Sequence, residues 1–131
     1  MAHSFTCRVY YEDTDLAGIV YYANYLKFIE RARSEWVREL GVDQLKMKRD
    51  GLVFAVRRVE ADYLSPARFD DVLRVETALE EITGTRVKLV QSVLRDESVL
   101  FRGAVTLVCL ADSGKPARIP AEIRAKLAPH E

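Results

Sequence analysis

Residues 11–40 read YEDTDLAGIVYYANYLKFIERARSEWVREL, and a change of pattern inside this stretch decides the fold. The first part is turn chemistry. Asp13, Thr14, Asp15 and Gly18 crowd together, and such residues hydrogen-bond to their own backbone or tolerate tight bends. From Tyr22 to Leu40 the apolar period becomes helical: Tyr22, Tyr25, Leu26, Ile29, Ala32, Trp36, Val37 and Leu40 recur at three- and four-residue steps. Lys27, Glu30, Arg31, Ser34, Glu35 and Arg38 take the other side, and Gly41 is a natural stop.

Upstream, Phe5 to Tyr11 reads as a strand, with Thr6, Arg8 and Tyr10 alternating against Cys7, Val9 and Tyr11. Downstream, Asp43 to Arg49 suits a short helical segment. Four strands then follow in a row: Val53 to Leu64, Val72 to Ile82, Arg86 to Arg95 and Val99 to Leu110. Ser65-Pro66, Thr83-Gly84, Asp96-Glu97-Ser98 and Asp112-Ser113-Gly114 punctuate them. Leu73, Val75, Thr77 and Leu79 share one face of the second of these strands. Ile119 to Leu127 reads as a short closing helix, with Pro120 in its first turn. Consecutive strands joined by short turns favour an antiparallel sheet. The expected fold class is α+β: a curved sheet of five strands packed on one long helix, as a single domain over residues 1–131.

Composition narrows the function. Twenty Lys and Arg balance twenty Asp and Glu, so the net charge is zero, which argues against a dedicated nucleic-acid binder. The two cysteines, Cys7 and Cys109, are too few for a disulfide framework and form no CxxC pair, so they read as buried free thiols. The N-terminal residues lack a basic segment followed by an apolar one, and no apolar run reaches the roughly 20 residues that span a bilayer. A cytoplasmic location is the expectation.

The catalytic inventory is also narrow. The histidines, His3 and His130, stand near the two ends, which disfavours a Ser-His-Asp or Cys-His arrangement. GxGxxG, P-loop and HExxH patterns are absent, and no metal or cofactor is expected. Carboxylates remain. Asp13 and Asp15 lie between the first strand and the long helix, close to a terminus whose first N–H groups lack intrahelical partners. A carboxylate beside such an anion-binding terminus suits attack on an acyl carbonyl. The same Asp-Thr-Asp pattern also suits simple turn and cap bonds.

The run from Tyr11 to Tyr25, continuing through Phe28-Ile29-Glu30-Arg31-Ala32-Arg33, resembles the signature of the 4-hydroxybenzoyl-CoA thioesterase family of hotdog-fold proteins, in particular its YbgC-type, Tol-Pal-associated branch. The stretch Leu64-Ser65-Pro66-Ala67-Arg68-Phe69-Asp70-Asp71 has a relative there too. The resemblance implies a helix cradled in a curved sheet, subunits that pair as a homodimer or homotetramer, and active sites at their interface. It implies that Asp15 is the catalytic carboxylate, acting as nucleophile or as general base on water. It implies that the backbone N–H groups near Tyr22 polarise the thioester carbonyl of an acyl-CoA substrate. Many YbgC-type members carry His at the position of Tyr22, so an imidazole contribution is absent here.

Coenzyme A phosphates need cationic partners, for which Arg57, Arg58, Arg68, Arg86 and Lys88 are candidates. Arg57 interrupts the apolar set Val53, Ala55, Val59 and Ala61. Tyr21, Tyr22, Tyr25, Phe28 and Trp36 suit either an acyl pocket or the helix-to-sheet core. Two other functions fit the fold: a low-turnover binding module docking on an acyl carrier protein or envelope complex, and dehydration of a hydroxyacyl chain. The second generally needs a site histidine, and the retained Asp15 speaks against the first.

Overall fold

The computed structural model describes residues 2–128. Strand β1 (His3–Arg8) runs into a single 3-10 turn at Tyr11–Asp13, then into the long helix α1 (Asn24–Glu39) and the short helix α2 (Gln44–Arg49). Strands β2 (Leu52–Tyr63), β3 (Val72–Ile82), β4 (Arg86–Arg95) and β5 (Ser98–Ala111) follow, and helix α3 (Ala121–Leu127) closes the described chain. All five strands form one antiparallel sheet in the order β1-β3-β4-β5-β2. β1 and β2 are therefore opposite rims. The chain between them crosses the inner sheet face as α1, which packs on β3, β1 and β4.

One face of α1 supplies the core with Tyr25, Phe28, Ile29, Ala32, Trp36 and Val37. Phe28 and Ile29 are almost wholly buried, a burial that stabilises by roughly 1.5–3 kcal/mol for each side chain. This is not quite the face the periodicity suggests. Leu26 is exposed, and Phe28 takes its place inside. Tyr22 lies in the turn before the helix and is exposed. The helix ends in a Schellman arrangement: Val42 N–H donates to Val37 O at 3.2 Å and Gly41 N–H to Arg38 O at 3.0 Å. That geometry needs the left-handed backbone of Gly41, at φ 82°. Asp43 then caps α2, its Oδ1 accepting from Lys46 N–H at 3.0 Å.

Three expectations change in detail. The first strand ends at Arg8, because the chain turns into the 3-10 segment, leaving Tyr11 exposed. The closing helix begins at Ala121, after Pro120. And Val53, Ala55, Val59 and Ala61 do not share a face. The register of β2 on β5 shifts between Val56 and Arg58, leaving Arg57 as the extra residue of a bulge. Val53 and Ala55 pair with Leu110 and Val108, whereas Val59 and Ala61 pair with the inward-facing Val105 and Gly103. Arg57 thus interrupts nothing: it marks where the strand changes face.

The inner face carries one buried polar knot. Gln91 on β4 is fully buried. Its Nε2 donates to Ile29 O at 2.8 Å and to Thr77 Oγ1 at 2.9 Å, and its Oε1 accepts from Arg33 Nη1 at 3.0 Å. Opposite Gln91 on β5 stands Gly103, where an added Cβ would press on Phe101 at 3.2 Å and lie 3.7 Å from Ile29. The missing side chain lets the amide and the helix approach. Among the described residues no helix is long and apolar enough to cross a membrane.

Candidate active site

The turn between β1 and α1 is built by its own side chains. Asp15 O accepts from Gly18 N–H at 2.9 Å, and Asp15 Oδ1 accepts from Ala17 N–H at 2.9 Å. Asp at the first position and Gly at the fourth suit such a turn, and Gly18 takes φ 78°. Asp15 N–H donates back to Ile19 O at 3.0 Å, and Thr14 bridges Val20. Ile19 in turn bridges Arg68, and Val20 N–H donates to Ala67 O at 2.9 Å. Asp15 is therefore held at the exposed tip of a small ladder that is pinned to the loop after β2. Its Oδ2 has no hydrogen-bond donor among the described residues.

Asp13 does different work. It is buried; its Oδ2 accepts from Tyr10 N–H at 2.8 Å, and its carbonyl accepts from Tyr21 N–H and from Asn24 Nδ2, both at 2.9 Å. It shapes the loop.

The start of α1 carries no side-chain cap, and its N-cap residue is Ala23. Asn24 N–H is taken by Tyr21 O at 2.8 Å, and Leu26 N–H by Ala23 O at 3.1 Å. The N–H groups of Tyr22 and Ala23 meet no acceptor among the described residues. These free donors stand at the positive end of a sixteen-residue helix, an arrangement suited to an anion.

Beside them opens an apolar hollow of about 320 Å³, lined by Ile19, Val20, Tyr22, Tyr25, Tyr63, Leu64, Ser65 and Pro66. Aromatic rings build one wall. Tyr25 stacks on Phe101 with centroids 5.0 Å apart, and Tyr63 meets Tyr22, Tyr25 and Phe101 edge-on at 6.1, 5.5 and 5.1 Å. The Tyr25 hydroxyl accepts from Ala67 N–H at 3.0 Å. The Tyr63 hydroxyl donates to Tyr22 O at 2.9 Å. Burial pushes both phenols above their ordinary pKa, and for Tyr63 the neighbouring Tyr22 and Tyr25 add to the rise. Both stay neutral near neutral pH, so the Tyr63 hydroxyl keeps the proton it donates.

The loop of Ser65 and Pro66 is braced from behind. Asp71 Oδ2 accepts from Arg68 N–H and from Arg95 Nη1, both at 2.8 Å, and the same Arg95 nitrogen reaches Pro66 O at 3.3 Å. Burial raises the Asp71 pKa, but these donors and the charges of Arg95 and Arg68 outweigh it and hold the carboxyl below its ordinary value.

Tyr22 thus lines the hollow, while Asp15 stands on the adjoining turn, bonded through its backbone to the lining residue Ile19. Tyr25 lines it from the helix, and Phe28 and Trp36 belong to the core. Ser65 joins the site from the turn after β2, and Tyr63 is the residue the sequence does not disclose: the alternation of β2 turns it inward only once the bulge is known. Four of the five basic candidates, Arg57, Arg58, Arg86 and Lys88, gather around a hollow of about 310 Å³ with Glu60 and Glu80. There Arg58 pairs with Glu60 at 3.0 Å, and Lys88 pairs with Glu81 at 3.6 Å. Arg68 stands apart on the loop after β2. His3 pairs with Glu39 at the far end of α1, and His130 lies outside the described residues.

A helix cradled by a five-stranded antiparallel sheet is the hotdog arrangement, and free donors with a carboxylate turn at the helix start suit attack on a thioester carbonyl. The family model for the thioesterase-like superfamily matches residues 9–127, and the chain belongs to that superfamily. Within it the chain is similar to the acyl-CoA thioesterase YbgC of Haemophilus influenzae, at 41% identity over 125 residues, covering 93% of this chain and 91% of that one. The acyl-CoA thioester hydrolase YbgC of Escherichia coli is 38% identical, covering 91% of this chain and 90% of its own. The crystal structure of a probable thioesterase from Bartonella henselae superposes with a TM-score of 0.87 at 37% identity, covering 92% of this chain and all of that one. The resemblance carried by residues 11–33 is borne out.

Proposed function

We propose that this protein hydrolyses acyl-CoA thioesters to the free acid and CoA in the cytoplasm, with Asp15 as the reacting carboxylate. The observation that carries the proposal is the juxtaposition at the start of α1: two free N–H groups, an apolar hollow beside them, and the Asp15 turn bonded to its wall. The names of the similar YbgC proteins support the acyl-CoA class.

The thioester carbonyl binds with its oxygen against the N–H groups of Tyr22 and Ala23, and the acyl group enters the aromatic hollow. Asp15 Oδ2 either attacks the carbonyl carbon or takes a proton from a water that attacks it. The tetrahedral oxyanion is held by the same N–H groups, and the thiolate of CoA leaves; where Asp15 is the nucleophile, water then cleaves the acyl–Asp15 anhydride, releasing the acid and restoring the carboxylate. A thiolate is a good leaving group, so no histidine general acid is required.

The protein works as a homodimer, or as a tetramer built from two such dimers. What supports this is β2, a twelve-residue edge strand that exposes Val53, Val56, Val59 and Tyr63. A long apolar edge of this kind is a template for a second strand.

The test is thiol release from a panel of acyl-CoAs by wild type and Asp15→Asn at equal folded concentration. The asparagine keeps the Oδ1 that accepts from Ala17 N–H, so the turn survives. Activity should fall by about 10²–10⁴. Equal activity in both proteins would remove Asp15 from the mechanism.

A further inference from the structure

The carbonyl of Tyr22 occupies an unusual place in the hydrogen bonding of the site. In a regular helix it would receive Leu26 N–H, but that group donates to Ala23 O at 3.1 Å. The donor that reaches Tyr22 O comes instead from the opposite rim of the sheet, from the hydroxyl of Tyr63 at the last position of β2, 2.9 Å away. A peptide unit is planar, so holding Tyr22 O holds the Ala23 N–H on the far side of the same plane. It also restrains the rotation of Tyr22, which carries the other free N–H. The Tyr63 ring has little freedom of its own, being packed edge-on against Tyr22, Tyr25 and Phe101.

We infer that Tyr63 is a positioning residue for the two oxyanion donors at the start of α1, acting through its hydrogen bond to the Tyr22 carbonyl. The inference rests on the hydrolytic reading of this site. The hydroxyl makes its hydrogen bond to the Tyr22 carbonyl and none to Asp15. It sets the direction in which the free N–H groups point.

Folding of the segment does not depend on this bond. Asn24 N–H to Tyr21 O at 2.8 Å, and Tyr21 N–H and Asn24 Nδ2 to Asp13 O at 2.9 Å, hold the turn without it. Tyr63→Phe therefore removes the tether and keeps the ring packing. A misdirected donor acts on the transition state, so kcat should fall about 10- to 100-fold while KM stays within about twofold. The amide resonances of Tyr22 and Ala23 should shift in the same variant, and its melting temperature should stay close to wild type.

The experiment measures kcat and KM of wild type, Tyr63→Phe and Asp15→Asn on one acyl-CoA, with amide spectra of the first two. Wild-type kcat in Tyr63→Phe, in an enzyme that Asp15→Asn inactivates, overturns this inference and leaves the hydrolytic reading standing. A loss of activity that follows loss of folded protein, or that lies in KM alone, also overturns it. Full activity in Asp15→Asn removes Asp15 from the mechanism, whereas no thiol release by the wild type overturns the hydrolytic reading and this inference with it.

Discussion

Replacing Gln91 by Leu keeps roughly the same volume in the core and removes the three hydrogen bonds that join β4 to β3 and α1. The Thr77 hydroxyl, fully buried, then has no donor from Gln91, a loss of about 1–3 kcal/mol. Arg33 loses its acceptor too, but it is partly exposed and can turn to water, so about 1 kcal/mol is appropriate. Against these stands the better transfer of Leu from water, about 1.5–3 kcal/mol at most. At the midpoints of these ranges the losses exceed the gain, and the net expectation is a destabilisation of about 1 kcal/mol. Adding Thr77→Val removes the stranded hydroxyl, so the double variant should recover most of that loss, a coupling of about 1 kcal/mol. Urea unfolding at one fixed protein concentration measures both. Wild-type stability in Gln91→Leu, or strictly additive losses in the pair, would refute the reasoning.

Asp71→Asn should cost about 1 kcal/mol at pH 7, since Asp71 braces the pocket loop through Arg68 N–H and Arg95 but is partly exposed. Because its folded pKa is lowered, that contribution is present above the ordinary value near 3.8 and is lost as the pH falls through the folded value. The gap between wild type and variant in thermal melts should close as the pH is taken down that far; a gap that persists below it would count against the ion pair. Val56→Asp places a charge on the exposed rim strand β2 and should shift the protein from dimer to monomer in light scattering. An unchanged dimer mass would show that the subunits meet elsewhere.

What could be read in the sequence was what is encoded locally. The bounds of β3 and β4 match because alternation continues up to a turn at each end. Asp43 and Gly41 mark their helix ends because capping is a property of a few adjacent residues. Apart from the ends of β1 and α3, the misses involve a distant partner. Phe28 rather than Leu26 turns inward because of how α1 is rolled on the sheet, and Arg57 is a bulge only relative to β5. Gln91 shares the alternation of Val87, Leu89 and Val93, but its partners Thr77 and Ile29 come from other elements. For the site, Asp15, Asp13 and the helix start lie in one contiguous segment and were legible together. Tyr63 arrives from a strand 41 residues further along than Tyr22, and nothing in its neighbours announces the bond.

The strand order has a consequence for synthesis on the ribosome. β1 and β2 are the first two strands to emerge, yet neither can pair with the other: β1 must wait for β3, and β2 must wait for β5, the last strand of all. The first half of the nascent chain is thus a helix with two ribbons that have no template, carrying the apolar side chains of α1 and β2 in the open. Only the β3-β4-β5 meander can zip from neighbour to neighbour. Nascent chains stalled before Val99 should accordingly engage holding chaperones and remain open to protease, and release of β5 is the step that commits the protein to its native form.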